Sequence, residues 1–217
     1  MHKQLLGLHS AIFDRYRLAP VTGQTALAEQ IRKICLAIVA IGVLLGAPMA
    51  HAFDASSSDP IAAQGTLQVA FSPWDDIESL IIGAIDGAKK QVLVQAYLLT
   101  SKKITKALIA SRQRGVDVMV LVDAAQSAKV PSSKAHDLSL AGIAVWLETD
   151  YQNAHNKVVV IDAGTASATV ITGSYNFTWS AQHKNAENIL IARKNPLLAA
   201  RYALNWERHR RGATPYK

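Results

Sequence analysis

Between residues 66 and 148, four short β-type runs alternate with helical stretches, and no other feature limits the fold as much. The runs are TLQVAF, QVLVQAYLL, VDVMVLVD and IAVWLE, rich in apolar and β-branched residues. After the first run, Ile77, Leu80, Ile81, Ala84, Ile85 and Ala88 recur at helical spacing. Ser72 is expected to cap that helix with Pro73 at its first position. Ser101 opens a second helix, KKITKALIASRQR, which Gly115 closes. A weaker helix is expected over residues 132–140. Strands separated by helices predict a parallel sheet with crossover connections. Beyond Glu148 the runs HNKVVVID, ATVIT and ENILIA have short connections, which predict antiparallel pairing. Asn195 and Pro196 open a closing helix with Leu198, Tyr202 and Trp206 on one side. The fold class expected is α/β, a mixed parallel/antiparallel sheet flanked by helices in a single domain, with no internal repeat.

A different composition precedes this region. Arg32 and Lys33 lead into the uncharged run ICLAIVAIGVLLGAPMA, which ends in Ala-His-Ala at residues 50–52. A basic start, an apolar stretch and a small-residue exit describe a secretory signal cleaved after Ala52. Pro48 argues against a buried helix there. An uncleaved anchor is the alternative, since residues 34–50 are nearly long enough to span a bilayer. Residues 1–52 are thus read as N-terminal extension and signal, 53–65 as a linker, and 66–217 as the catalytic domain. A periplasmic or secreted location follows. Cys35 is the one cysteine and lies inside the apolar run, so the portion from Phe53 onward folds without disulfides. That portion holds 18 Lys and Arg against 14 Asp and Glu, a net of +4, which is compatible with a polyanionic partner.

Polar residues gather at the ends of the antiparallel strands. In AHNKVVVIDAG, His155 and Lys157 stand two apart and therefore share a strand face. Two potential cations side by side resist desolvation, and an anion between them relieves the conflict. GSYNFT brings Gly173, Ser174 and Asn176 out of the next strand, and NAEN brings Glu187 into the one after. Alone, each has a plain structural role: a satisfied histidine, a snorkelling lysine, turn formers, an exposed strand charge. Together they suit attack on a phosphodiester. The imidazole is nucleophile or proton donor, the ammonium and amide hold non-bridging oxygens, and a carboxylate orients the imidazole.

HNKVVVID resembles the His-x-Lys-x4-Asp signature of the phospholipase D superfamily, at His155, Lys157 and Asp162. GSYN is similar to its Gly-Ser-x-x-Asn continuation, with the Asn one residue nearer the Ser. NAEN resembles the acidic motif that follows in small members. The likeness runs from FSPWDDIESLIIGAIDGAKKQV to the C-terminal helix, and is greatest to the small single-motif bacterial periplasmic endonucleases. The resemblance implies an α/β/α sandwich with one motif per chain and a two-step route through a phosphohistidine, in which a second histidine helps water release the product. It implies His155, Lys157, Ser174, Asn176 and Glu187 as catalytic residues.

Asp162, seven residues from His155, falls on the opposite strand face and is read as structural, as is Gly173. No other histidine has a lysine two residues on, so the second motif must come from a partner chain in a two-fold homodimer sharing one site. No metal cluster is evident and no cofactor is expected. The substrate expected is nucleic acid, DNA before RNA, on the strength of size, resemblance and the basic runs SKKITK, SRQRG and RHRRG. The alternative is a phospholipase D releasing glycerophospholipid headgroups. A binding module without catalysis would require a broken motif.

Overall fold

The computed structural model describes residues 58–217, of which Pro60–Lys217 make one compact unit. The expected signal and residues 53–57 of the expected linker lie outside the described residues. In chain order the elements are β1 (Thr66–Ser72), α1 (Ile77–Asp86), β2 (Gln91–Ala96), α2 (Lys102–Gln113), β3 (Asp117–Asp123), α3 (Ala124–Lys129), α4 (Ala135–Leu140), β4 (Ala144–Glu148), β5 (Lys157–Ile161), β6 (Thr169–Gly173), α5 (Trp179–His183), β7 (Glu187–Arg193), α6 (Pro196–Gly212) and β8 (Thr214–Pro215).

One eight-stranded sheet runs in the order β1-β7-β6-β5-β2-β3-β4-β8. β2, β3 and β4 are parallel, while β5, β6 and β7 follow antiparallel, giving the mixed sheet expected. Alternation along the strands feeds two cores. Val94, Ala96, Val120, Val159 and Ile191 pack under Ile81, Ile85, Ile104 and Leu108 of α1 and α2. On the other face Leu93, Leu121, Val158 and Val160 meet Ala199 and Trp206 of α6, whose indole donates to Val94 O at 2.8 Å.

Several local expectations are corrected. Ser72 does not cap α1. It ends β1 opposite Glu187, and its hydroxyl donates to Ala181 O at 2.7 Å. The cap is Asp76, whose carboxylate accepts from Ser79 N–H at 3.0 Å and draws the helix start four residues on. β1 does not neighbour β2 either. It pairs antiparallel with β7 at the sheet edge, so the connection through α1 skips three strands. The helix expected over 132–140 is confined to Ala135–Leu140, and α3 and β8 were not expected. α3 forms because Asp123 caps it, accepting from Gln126 N–H at 2.7 Å.

The register brings one set of strand ends together. Ala96 closes β2 beside Lys157, which opens β5, and Glu187 opens β7 between Ser72 and the end of β6. The candidate residues sit along this edge.

Candidate active site

His155 is exposed just ahead of β5, and Lys157 is 6% exposed as its first residue. Their shared face is confirmed by contact. Lys157 Nζ lies 2.9 Å from His155 Nδ1 and donates to His155 O at 2.8 Å. Burial pushes the ammonium down from its ordinary 10.5 to about 8, with the Glu187 charge acting in the opposite sense. An ammonium facing Nδ1 donates to it, leaving the ring hydrogen on Nε2.

Tyr97, which follows β2 directly, completes this corner. Its ring centroid is 4.3 Å from that of His155, and Lys157 Nζ stands 4.8 Å from the ring centre. The loop that delivers His155 is held from below. Ala154 N–H donates at 2.8 Å to the carboxylate of Asp123, a fully buried group that also caps α3. Tyr151 of the same loop packs against His209, whose Nδ1 is 2.6 Å from the buried Glu148 Oε1. Gln95 donates to that same oxygen at 3.1 Å.

The Gly-Ser-Tyr-Asn segment is pinned from both sides. A Cβ on Gly173 would lie 2.2 Å from Asn188 O, so only glycine permits β6 and β7 to close here. Ser174 Oγ accepts from Asn188 N–H at 3.1 Å. Phe177 N–H donates to Leu98 O at 3.1 Å, and the Phe177 carbonyl accepts from Thr100 and Ser101 at 2.9 Å each. Asn176, one residue before, is thereby placed beside the chain that carries Tyr97. Its Oδ1 is buried without a hydrogen-bond partner among the described residues, an unusual state for a buried amide.

Glu187 was expected to orient the imidazole. Within the chain its carboxylate instead accepts from Asn185 Nδ2 at 2.8 Å, and the neighbour of His155 Nδ1 is Lys157. Asp162 stands at the other end of β5, about 16 Å along a five-residue strand from Lys157. There it adopts a positive φ of 51° and accepts from the backbone N–H groups of Lys89, Lys90 and Gln91 at 2.6–3.1 Å. The motif's aspartate ties β5 to the turn before β2, far from the imidazole. No group of three His, Cys, Asp or Glu among the described residues is arranged to hold a metal ion.

Tyr97, Asp123, Glu148 and His209 escaped the sequence reading. A tyrosine directly after a buried strand was a weak signal for the first. The others gave none, since their roles depend on register and on helix docking.

A mixed sheet with an imidazole–ammonium pair at its strand ends suits a phosphoryl-handling α/β hydrolase. A family model described as cardiolipin synthase, PLD-like domain, matches residues 81–209. A phospholipase D of Rickettsia bellii is 34% identical over 77% of this chain and 87% of its own. A mitochondrial cardiolipin hydrolase of Xenopus laevis is 32% identical over 62% of this chain and 61% of its own. Among solved structures, a phospholipase D family member, Nuc from Salmonella typhimurium, superposes with a TM-score of 0.65 at 32% identity, covering 70% of this chain and 98% of that one. The chain belongs to the phospholipase D superfamily, and it is a phosphodiester hydrolase.

Proposed function

We propose that the protein is a metal-independent endonuclease of low sequence specificity that works as a homodimer in the periplasm or outside the cell. The observation that carries the reading is the buried Lys157 within 2.9 Å of an exposed His155, present once per chain. In the first step His155 Nε2 of one protomer attacks phosphorus, forming the P–N bond as the P–O bond to the leaving group breaks. The partner's copy of the same histidine gives the leaving oxygen its proton. Water then attacks phosphorus, loses a proton to that second imidazole, and releases His155.

Lys157 explains how identical imidazoles divide these tasks. With the ammonium on Nδ1, Nε2 carries hydrogen and the neutral ring cannot attack through it. To donate, a ring must part from its ammonium, take a second proton and act as imidazolium. A phosphate oxygen that draws the ammonium away frees Nδ1 to take the hydrogen, and Nε2 becomes a nucleophile. Lys157 and Asn176 hold the charge that develops on the non-bridging oxygens. Glu187, already acting on Lys157 through its charge, is the carboxylate assigned to steady the imidazolium in the dimer.

Nucleic acid is favoured as substrate by the likeness to single-motif endonucleases and by the net +4 of residues 53–217. Among the described residues no helix is long and apolar enough to cross a membrane. The names of the Rickettsia relatives favour the second reading, a phospholipase D on glycerophospholipids. Plasmid DNA and phosphatidylcholine vesicles, assayed side by side with wild type and His155→Asn, decide between them. Nicking that resists EDTA and drops at least 10²–10⁴-fold in the variant is expected. Headgroup release without nicking overturns the nuclease, and residual activity within tenfold of wild type overturns the role of His155.

A further inference from the structure

Two tryptophans stand in solvent close to this edge, and neither takes part in the chemistry above. Trp74 is 83% exposed and Trp179 is 59% exposed. Large aromatic side chains left in water at the rim of a site call for a ligand.

Their placement follows from the register. Trp74 comes two residues after Ser72, the β1 residue paired with Glu187. Trp179 opens α5 three residues after Asn176. Gln182 of α5 welds the two together, since its Nε2 donates to Asp75 O at 2.9 Å and its Oε1 accepts from Glu78 N–H at 3.0 Å. Ser72 also bonds to Ala181 O of α5. The Trp74 turn and the Trp179 helix are therefore one rigid wall on the Glu187 side of the site.

Charge at the Trp179 end of that wall favours an anion. Lys184 Nζ sits 5.8 Å over the Trp179 ring, and the His183 ring lies against that of Trp179, tilted, with centroids 4.8 Å apart. The carboxylates beside Trp74 keep their negative charge, and internal hydrogen bonds hold them in place. Asp75 accepts from Phe71 N–H, Asp76 from Ser79, and Glu78 from Ser101 and Lys103. Hydrogen bonds from Ser79 hold the Asp76 carboxyl below its ordinary value, and the charges of Lys103 and His183 act in the same sense.

We infer that Trp74 and Trp179 are stacking platforms that lead single-stranded nucleic acid across α5 into the site. The inference rests on the nuclease reading and adds the form of the substrate. Flat rings take any unpaired base without regard to sequence, whereas duplex bases are already stacked and present only backbone. Lys184, beside the Trp179 ring, meets a phosphate between successive bases. A bilayer fits less well, because charged groups of both signs, Asp75, Asp76, His183 and Lys184, break up the apolar surface.

The test uses the full chain carrying His155→Asn, so that substrate persists, and adds Trp74→Ala, Trp179→Ala and the corresponding Phe variants. The probe is a labelled oligothymidylate of about 12 nucleotides, within the span of typical single-strand sites. Each Ala variant should lose about 5- to 150-fold in affinity for it, the range of one lost base stack. The Phe variants should keep most of the binding, while duplex of equal length should respond little. Leu204→Ala, an exposed residue on α6, serves as control. Should wild type cleave oligothymidylate while the Ala variants bind it as tightly as their parent, the platform is refuted and the nuclease stands. Should wild type leave every nucleic acid intact, the nuclease reading itself has failed. Affinity loss that merely follows dissociation of a dimer in sedimentation assigns the tryptophans to a second copy and overturns the inference, as does loss of vesicle binding in place of oligonucleotide binding.

Discussion

At the scale of single residues, Lys157 sets the pH behaviour of the site. Its ammonium is buried and titrates near 8, so its charge is present below about pH 8 and lost above. With the proposed phosphate contact, kcat/KM should fall above pH 8, and Lys157→Ala should cost about 10²–10³-fold at pH 7. A pH–rate profile flat to pH 10 would remove Lys157 from the chemistry. Stability runs the other way. The folded value lies below the ordinary 10.5, so between pH 8 and 10.5 the unfolded chain binds more protons and the native state gains stability as pH rises. Urea melts across that window should show the gain in wild type and not in Lys157→Met. Asp123 acts one step removed, through Ala154 N–H. Asp123→Ala should lower kcat up to about 10²-fold through misplacement of His155, with KM little changed. Equal kcat in the variant refutes that positioning. Alternation made the His155–Lys157 face legible in the sequence. The engagement of Glu187 by Asn185 was not, because periodicity assigns a face and leaves the rotamer open.

Among the elements, the antiparallel trio β5, β6 and β7 depends on one missing side chain. Gly173→Ala forces a Cβ against the Asn188 carbonyl and should destabilise the fold by about 1–3 kcal/mol, measured as a shift in the denaturant midpoint. An unchanged midpoint would mean that the β6–β7 spacing yields easily. α2 and β3 were legible as they stand, and β2 except for its end, which falls at Ala96 rather than Leu99, since a buried run, a Ser cap and a glycine stop agree with each other. The position of β1 was not. Its apolar residues announce a strand but not the neighbour it chooses, and that choice joins residues more than a hundred positions apart. The same long-range pairing removed Ser72 from its expected cap and gave it to Ala181 and Glu187.

At the scale of the whole molecule, one His-x-Lys pair per chain sets the stoichiometry of the proposed reaction. Mixed dimers of wild type and His155→Asn should be nearly inactive, because both imidazoles serve one phosphorus. A monomer with full specific activity at high dilution would overturn the shared site. The order of the sheet also governs how the enzyme comes into being. Ser72, near the start of the folded unit, receives Glu187 N–H across 115 positions of sequence, and β1 finds its berth only against β7. Contacts of that range are expected to close late, after the local β2–α2–β3 unit. A chain emerging from the ribosome is therefore expected to hold the proposed site in pieces until β7 has followed. The catalytic edge is the final part to assemble, and an unfinished enzyme is a harmless one.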